Sequence, residues 1–134
     1  MGHPTIYPTG VTVYNPEKCW NGFTIFQALE VGAVLMNMNG RENKVWKGVH
    51  GFPNKIFPGG YLMTSRGSRD GRYGVQDGLD LVQIDWDGNV VWKFDRNEYI
   101  EDPGIPGRWM ARSHHDYQRE GSTTGYYAPG MEPK

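Results

Sequence analysis

Three consecutive residues, His114-His115-Asp116, bring two imidazoles and a carboxylate into one short stretch, and His50 stands in the first half of the chain. Imidazole changes charge near neutral pH. Such a group can act as general acid or base, attack an electrophilic sulfur or phosphorus, or ligate a metal. Asp116 or Asp85 could orient a ring through its second nitrogen. Arg112 and Arg108 nearby could grip a sulfate, phosphate or carboxylate in bidentate fashion. Neighbouring side chains of an extended strand point to opposite faces, so His114 and His115 are expected to serve different surroundings, His114 in a structural or interfacial role.

A repeat links His115 to His50. Met36-Asn37-Met38-Asn39-Gly40, Val45-Trp46-Lys47, His50-Gly51-Phe52 and Gly60-Tyr61 are followed by Ile84-Asp85-Trp86-Asp87-Gly88, Val91-Trp92-Lys93, His115-Asp116-Tyr117 and Gly125-Tyr126. The step from His50 to Gly60-Tyr61 equals that from His115 to Gly125-Tyr126. Repeats of this length are stacked β units, and units set around an axis bring equivalent positions together. His50 and His115 are therefore expected to point at one common place. A repeated histidine can equally be a structural device, its ring bonded to a neighbouring unit's backbone. Trp46 and Trp92, at matching points, are expected to pack between units.

The elements that must carry these groups are short strands. Val11–Tyr14, Phe23–Ala28, Val34–Met38, Lys44–Lys47, Lys55–Phe57, Tyr61–Thr64, Leu79–Asp85 and Asn89–Phe94 each read as extended, separated by Asn-Gly, Gly-Gly and Asp-Gly turns. Asn37-x-Asn39-Gly40 and Asp85-x-Asp87-Gly88 resemble fragments of a calcium loop but lack its later ligands, so hairpin turns explain them better. Residues 65–78 are a polar loop containing Arg66, Arg69 and Arg72, which is either a solvated loop or an anion clamp. Residues 95–113 are a long insertion between hairpin and histidine, with Arg108-Trp109-Met110 as a brief helical turn. Residues 1–22 form an amino-terminal arm, 23–78 a first blade-like unit and 79–134 a second with that inserted loop. The fold class expected is all-β: about two blades of antiparallel four-stranded sheet, a partial β-propeller. Two blades leave strand edges unpaired, so another chain is expected to complete them, either a second polypeptide or identical copies.

Composition narrows the function classes. Nineteen glycines and nine prolines suit many tight turns better than helices. A formal charge of −1 with no dense basic run argues against nucleic-acid binding. The single cysteine, Cys19, excludes an internal disulfide and a CxxC motif. No apolar run approaches the ~20 residues that span a bilayer, and the amino terminus lacks a basic start and apolar stretch, so a cytoplasmic protein is expected unless a signal was removed.

Tyr7-Pro8-Thr9-Gly10-Val11-Thr12, the hairpin Asp85-Trp86-Asp87-Gly88-Asn89-Val90-Val91-Trp92, and His114-His115-Asp116-Tyr117-Gln118-Arg119 together resemble the PAPS-independent arylsulfotransferase family of six-bladed propellers. The resemblance runs from about residue 7 to 129, the first part of a full-length member. It implies transfer of a sulfuryl group from an aryl sulfate to a phenol through a sulfohistidine, with Arg and Asn contacts to the sulfate. His115 matches one of the family's repeated histidines and His50 holds the same place one unit earlier. The resemblance assigns the nucleophile to neither.

These observations combine into a subunit of a split, arylsulfotransferase-like propeller, active in complex, that acts on a small aromatic or anionic substrate by histidine-based group transfer or by a related lyase or hydrolase reaction. His115, His50 and Asp116 would carry the chemistry; Arg112, Arg108, His114 and Tyr117 would contact the substrate. No organic cofactor is implied. The alternatives are a non-catalytic assembly subunit, and a metalloprotein in which His50, His115 and partner residues hold a transition metal.

Overall fold

The computed structural model describes residues 11–57, 59–74 and 77–117. Nine strands and one helical turn follow in order. They are β1 Phe23–Ala28, β2 Gly32–Asn37, β3 Glu42–Lys47, β4 Lys55–Phe57, β5 Tyr61–Thr64, α1 Gly71–Gly74, β6 Val82–Ile84, β7 Val90–Lys93, β8 Glu98–Asp102 and β9 Ile105–Met110. The chain is all-β. β1-β2-β3 make one antiparallel meander, β4-β5-β6-β7 a second, and β8-β9 a separate hairpin; among the described residues no sheet closes on itself. The second meander takes two strands from each side of position 78/79.

The repeat is visible in hydrogen-bond register. Val34↔Val45, Leu35↔Lys44 and Met36↔Glu42 map onto Val82↔Lys93, Gln83↔Trp92 and Ile84↔Val90, each residue 48 positions later. Both hairpins carry a bulge at the same point, Asn43 in one and Val91 in the other. Both turns are built alike. Asn37 Oδ1 accepts the backbone N–H groups of Asn39 and Arg41, each at 3.0 Å, and Asp85 Oδ1 accepts those of Asp87 (2.9 Å) and Asn89 (2.8 Å). Asx side chains capping a turn in this way account for both motifs without calcium.

Register corrects one expected equivalence. Trp46 lies opposite Ala33, and the residue in that position of the second hairpin is Phe94, whose N–H donates to Leu81 O at 2.9 Å. Trp92 occupies the place of Lys44. The composition of the motif had hidden a two-residue offset.

One core joins the two meanders. Ala33, Leu35, Trp46 and Val49 from the first pack with Leu62, Val82 and Ile84 from the second, and Ile25 and Ile56 flank them. The two sheets contribute unlike faces. The counterparts of Ile25, Ala33, Leu35 and Trp46 in the second sheet are Met63, Leu81, Gln83 and Phe94, and none of these lies in the shared core. The counterparts of Leu62, Val82 and Ile84 in the first sheet are Thr24, Val34 and Met36, which are likewise outside it. The Trp46 indole crosses the junction, its N–H donating to Asp85 O (3.2 Å) and its ring meeting Trp86 edge-on at 5.3 Å.

Three sequence expectations are revised. Val11–Tyr14 is irregular and leads into a turn in which Asn15 accepts the N–H of Lys18 and of Cys19, so β-branched residues alone did not make a strand. The polar stretch 65–78 contains one helical turn, Gly71–Gly74. The insertion 95–113 is a strand hairpin, with Arg108-Trp109-Met110 inside β9 rather than in a helical turn. Gly104, at φ 77°, turns that hairpin, and Tyr99 opposite Trp109 pairs the two rings at 5.5 Å.

Candidate functional site

The link that follows β3 runs from Gly48 to Asn54 and carries His50. It is fixed from below by a chain of amides and hydroxyls. Gln27 Nε2 donates to Val49 O (2.9 Å), Asn54 Nδ2 donates to Gln27 Oε1 (2.9 Å), and the buried Thr64 hydroxyl donates to Asn54 Oδ1 (2.7 Å). Gly51 is buried against this chain, and a Cβ there would overlap Asn54 Oδ1 and crowd the Thr64 hydroxyl. His50 donates its backbone N–H to Ser65 O at 2.7 Å and is exposed.

The segment 114–117 docks on this same link. The half-buried Tyr117 hydroxyl donates between the carbonyl oxygens of Pro53 and Met63, at 2.8 Å from the latter. Lys55 Nζ donates to Tyr117 O (2.6 Å) and pairs with Asp116 (2.6 Å). That hydrogen bond from Lys55 holds the Asp116 carboxyl below its ordinary range, whereas burial pushes the Tyr117 phenol up. Asp116 is thus engaged by an ammonium, and Asp85 by its own turn, where the Asn89 side-chain amide lowers its pKa.

Between these anchors the backbone reverses. Asp116 N donates to His114 O (2.8 Å), and His115 adopts φ 64°. The left-handed conformation abolishes the strand alternation on which the separation of the two histidines rested. Their rings lie 4.1 Å apart, nearly perpendicular, and the His115 ring meets Phe52 edge-on at 5.1 Å. His114 and His115 are therefore together, both exposed, beside the link that bears His50.

The arginines are held by carboxylates. Arg112 pairs with Glu98 (3.2 Å) and lies 3.7 Å from Asp77. Arg69 joins Asp77 (3.1 Å) to Asp102, Arg66 pairs with Asp80 (2.8 Å), and Arg72 with Asp70 (2.9 Å). Each arginine of the 65–78 loop thus faces a carboxylate. Arg69 through Asp102, and Arg112 through Asp77 and Glu98, tie that loop to the β8-β9 hairpin, helped by the Tyr73 hydroxyl on Pro103 O (2.7 Å). Arg108, half-buried on β9 opposite Ile100, lies within electrostatic reach of Asp70 and Asp102. A separate open cavity of about 430 Å³ lies along β3, lined by Lys44, Lys47, Arg66 and Asp87 among others.

Phe52 and Lys55 are the contacts that the sequence did not single out as site residues. Phe52 was part of the repeated His50-Gly51-Phe52 motif, whereas Lys55 carried no signal beyond its place in a strand. Among the described residues no three His, Cys, Asp or Glu side chains converge as a metal-ligand set, and no helix is long and apolar enough to cross a membrane. Gly125-Tyr126, the end of the second repeat, lies outside the described residues. No protein-family model, curated protein or solved structure compared with the chain matches it.

Proposed function

We propose that this chain is one subunit of a split, arylsulfotransferase-like β-propeller that transfers a group from a small aromatic or anionic substrate through an imidazole. The observation that carries this reading is the His114–His115 pair, 4.1 Å apart and exposed beside Phe52. A nitrogen of one ring would attack the sulfur of an aryl sulfate and break its S–O bond. The phenolate leaves and takes up a proton, and an acceptor phenol then displaces the histidine at sulfur. The second ring, within one ring's breadth, is placed to move the proton. His115, packed on Phe52, is the candidate nucleophile, with His114 as the proton carrier. Asp116, Lys55 and Tyr117 fix the segment, and Phe52 offers an aromatic surface to the substrate ring. His50 stands on the adjoining link.

The reading is tested by incubating the assembled protein from its source with 4-nitrophenyl sulfate. A histidine in 114–115 heavier by one sulfuryl group, with release of nitrophenol, is expected. Absence of both overturns it.

A non-catalytic assembly role is favoured by a different observation. Arg112, two residues before His114 in the chain, is already paired with Glu98, and large apolar side chains such as Trp20 (95% exposed) and Phe23 (62%) stand open. Under that reading, replacing His114 and His115 together leaves every activity of the assembly unchanged.

A further inference from the structure

The open cleft beside β3, about 430 Å³ in volume, is large enough to take a small organic molecule. The sequence builds it from three sides. β3 is an edge strand of its sheet and sets Lys44 and Lys47 along one wall. Gly48, at φ 72°, turns the chain out of β3, and the His50 N–H bonded to Ser65 O brings Arg66 alongside. The β6-β7 turn supplies the third side with Asp87 and Gly88. Trp46, Val49 and Ile84, all buried in the shared core, give the cleft an apolar floor. A Cβ at Gly48 or Gly88 would meet nothing within 4 Å, so both glycines front open space.

Asp80 engages only one edge of Arg66. Its Oδ2 accepts from Nε (2.8 Å) and its Oδ1 from the Arg66 backbone N–H (2.7 Å), and the aspartate side chain is 13% exposed against 47% for the arginine. The guanidinium is thus fixed along its inner edge, while its two terminal nitrogens have no partner among the described residues. Lys44 Nζ rests 5.3 Å from the ring centre of Trp86 and 5.8 Å from that of Trp46. Neither Lys44 nor the exposed Lys47 has a carboxylate within ion-pair distance among the described residues. Asp87, which lines the same cleft, pairs with neither of them.

We propose that this cleft binds a small organic oxyanion: a phosphate, sulfate or carboxylate carried on an apolar body. The anionic head lies among the Arg66 terminal nitrogens and the two ammonium groups, and the body covers the Trp46–Val49–Ile84 floor. A guanidinium fork suits such a head, and one already held by Asp80 needs little further ordering to receive it. The site goes beyond the proposed group transfer, because none of its groups belongs to the histidine pair and its test requires no reaction.

Titration of the full chain with phenyl phosphate, followed by NMR shifts of amides and indoles, tests it. Saturable shifts are expected at residues 44–49, at Arg66, at Asp87 and Gly88, and at the Trp46 indole. Lys47→Gln and Arg66→Gln, both at exposed positions, should each weaken binding about tenfold, the loss of one charge-assisted hydrogen bond. Asp87→Asn should tighten it about two- to fivefold by removing a like charge. The matching position of the first turn already carries Asn39, so that turn accommodates the change. Inorganic phosphate should shift the same residues but bind more weakly, because it leaves the floor uncovered. Failure to saturate, shifts centred elsewhere, charge variants that bind like wild type, weaker binding by Asp87→Asn, or inorganic phosphate binding as tightly as the phenyl ester would overturn the proposal.

Discussion

The indole N–H of Trp46 donates to the backbone carbonyl of Asp85 across 3.2 Å, so the third strand of one repeat is bonded to the turn of the next. The same turn presents Trp86 edge-on to the Trp46 ring, and Lys44 Nζ lies 5.3 Å from the Trp86 ring centre. Trp46 is 4% exposed, and Asp85 is fixed in its turn by hydrogen bonds with Asp87, Gly88 and Asn89. Trp46→Ala should therefore cost about 3–5 kcal/mol, the usual range for truncating a large buried aromatic. Trp46→Phe keeps most of the packing and loses the hydrogen bond, costing about 1 kcal/mol for the bond alone. Urea denaturation of both variants checks the ranking.

Two glycines of one link separate backbone strain from crowding. Gly48, at φ 72°, has open space where a Cβ would stand, so Gly48→Ala should cost only the left-handed penalty of about 1–2 kcal/mol. At Gly51 the Cβ meets Asn54 and Thr64, which are buried and mutually hydrogen-bonded. Gly51→Ala should cost more than Gly48→Ala, since it breaks a buried polar chain. Equal losses in thermal unfolding would contradict the crowding account.

Acid should free the β8-β9 hairpin. The side chain of Asp102 is 7% exposed, and its hydrogen bonds from Arg69 hold its carboxyl below the ordinary range. A depressed folded-state pKa contributes stability that is fully present above the unfolded value, about 3.9, and is lost as pH falls through the folded value. Hydrogen exchange across residues 98–110 should accelerate below about pH 4, before the β2-β6 core does. Asp102→Asn should bring the same acceleration at neutral pH.

His115 tests the geometry of the candidate site directly. His115→Gly removes the imidazole and suits φ 64°, so the variant should fold at least as well as wild type. His114→Ala leaves the backbone reversal in place. If one ring attacks and the other moves the proton, the glycine variant should lose adduct formation altogether, and the alanine variant should fall by about 10²–10⁴-fold in turnover. Equal, mild effects would point to a structural pair.

Much of the strand pattern was legible because its signals are local. Phe23–Ala28, Lys55–Phe57 and Tyr61–Thr64 lie where alternation and Gly-Gly or Asn-Gly turns place them, and the Asx-capped turns at Asn37 and Asp85 follow from side chains two and four residues away. The β8-β9 hairpin was not legible: a proline inside β9 masked a strand that pairs on one side only. The closeness of His114 and His115 was hidden for another reason. It depends on one left-handed residue whose neighbour Tyr117 is held by Lys55, Pro53 and Met63, more than fifty residues of chain away, and such a dihedral leaves no periodic trace.

The bulge shared by the two hairpins decides which way each sheet looks. With Asn43 left over, Lys44 and Trp46 fall on the side of Leu35 and Ala33. Removing Asn43 would leave a regular ladder with Trp46 still opposite Ala33, whereas removing Val45 would bring Trp46 opposite Val34 and turn its indole outward, because neighbouring strand residues face opposite ways. The same holds in β7, where Val91 is the spare residue. Past the bulge, the length of chain leading to the tryptophan is as much a determinant of the fold as the tryptophan itself.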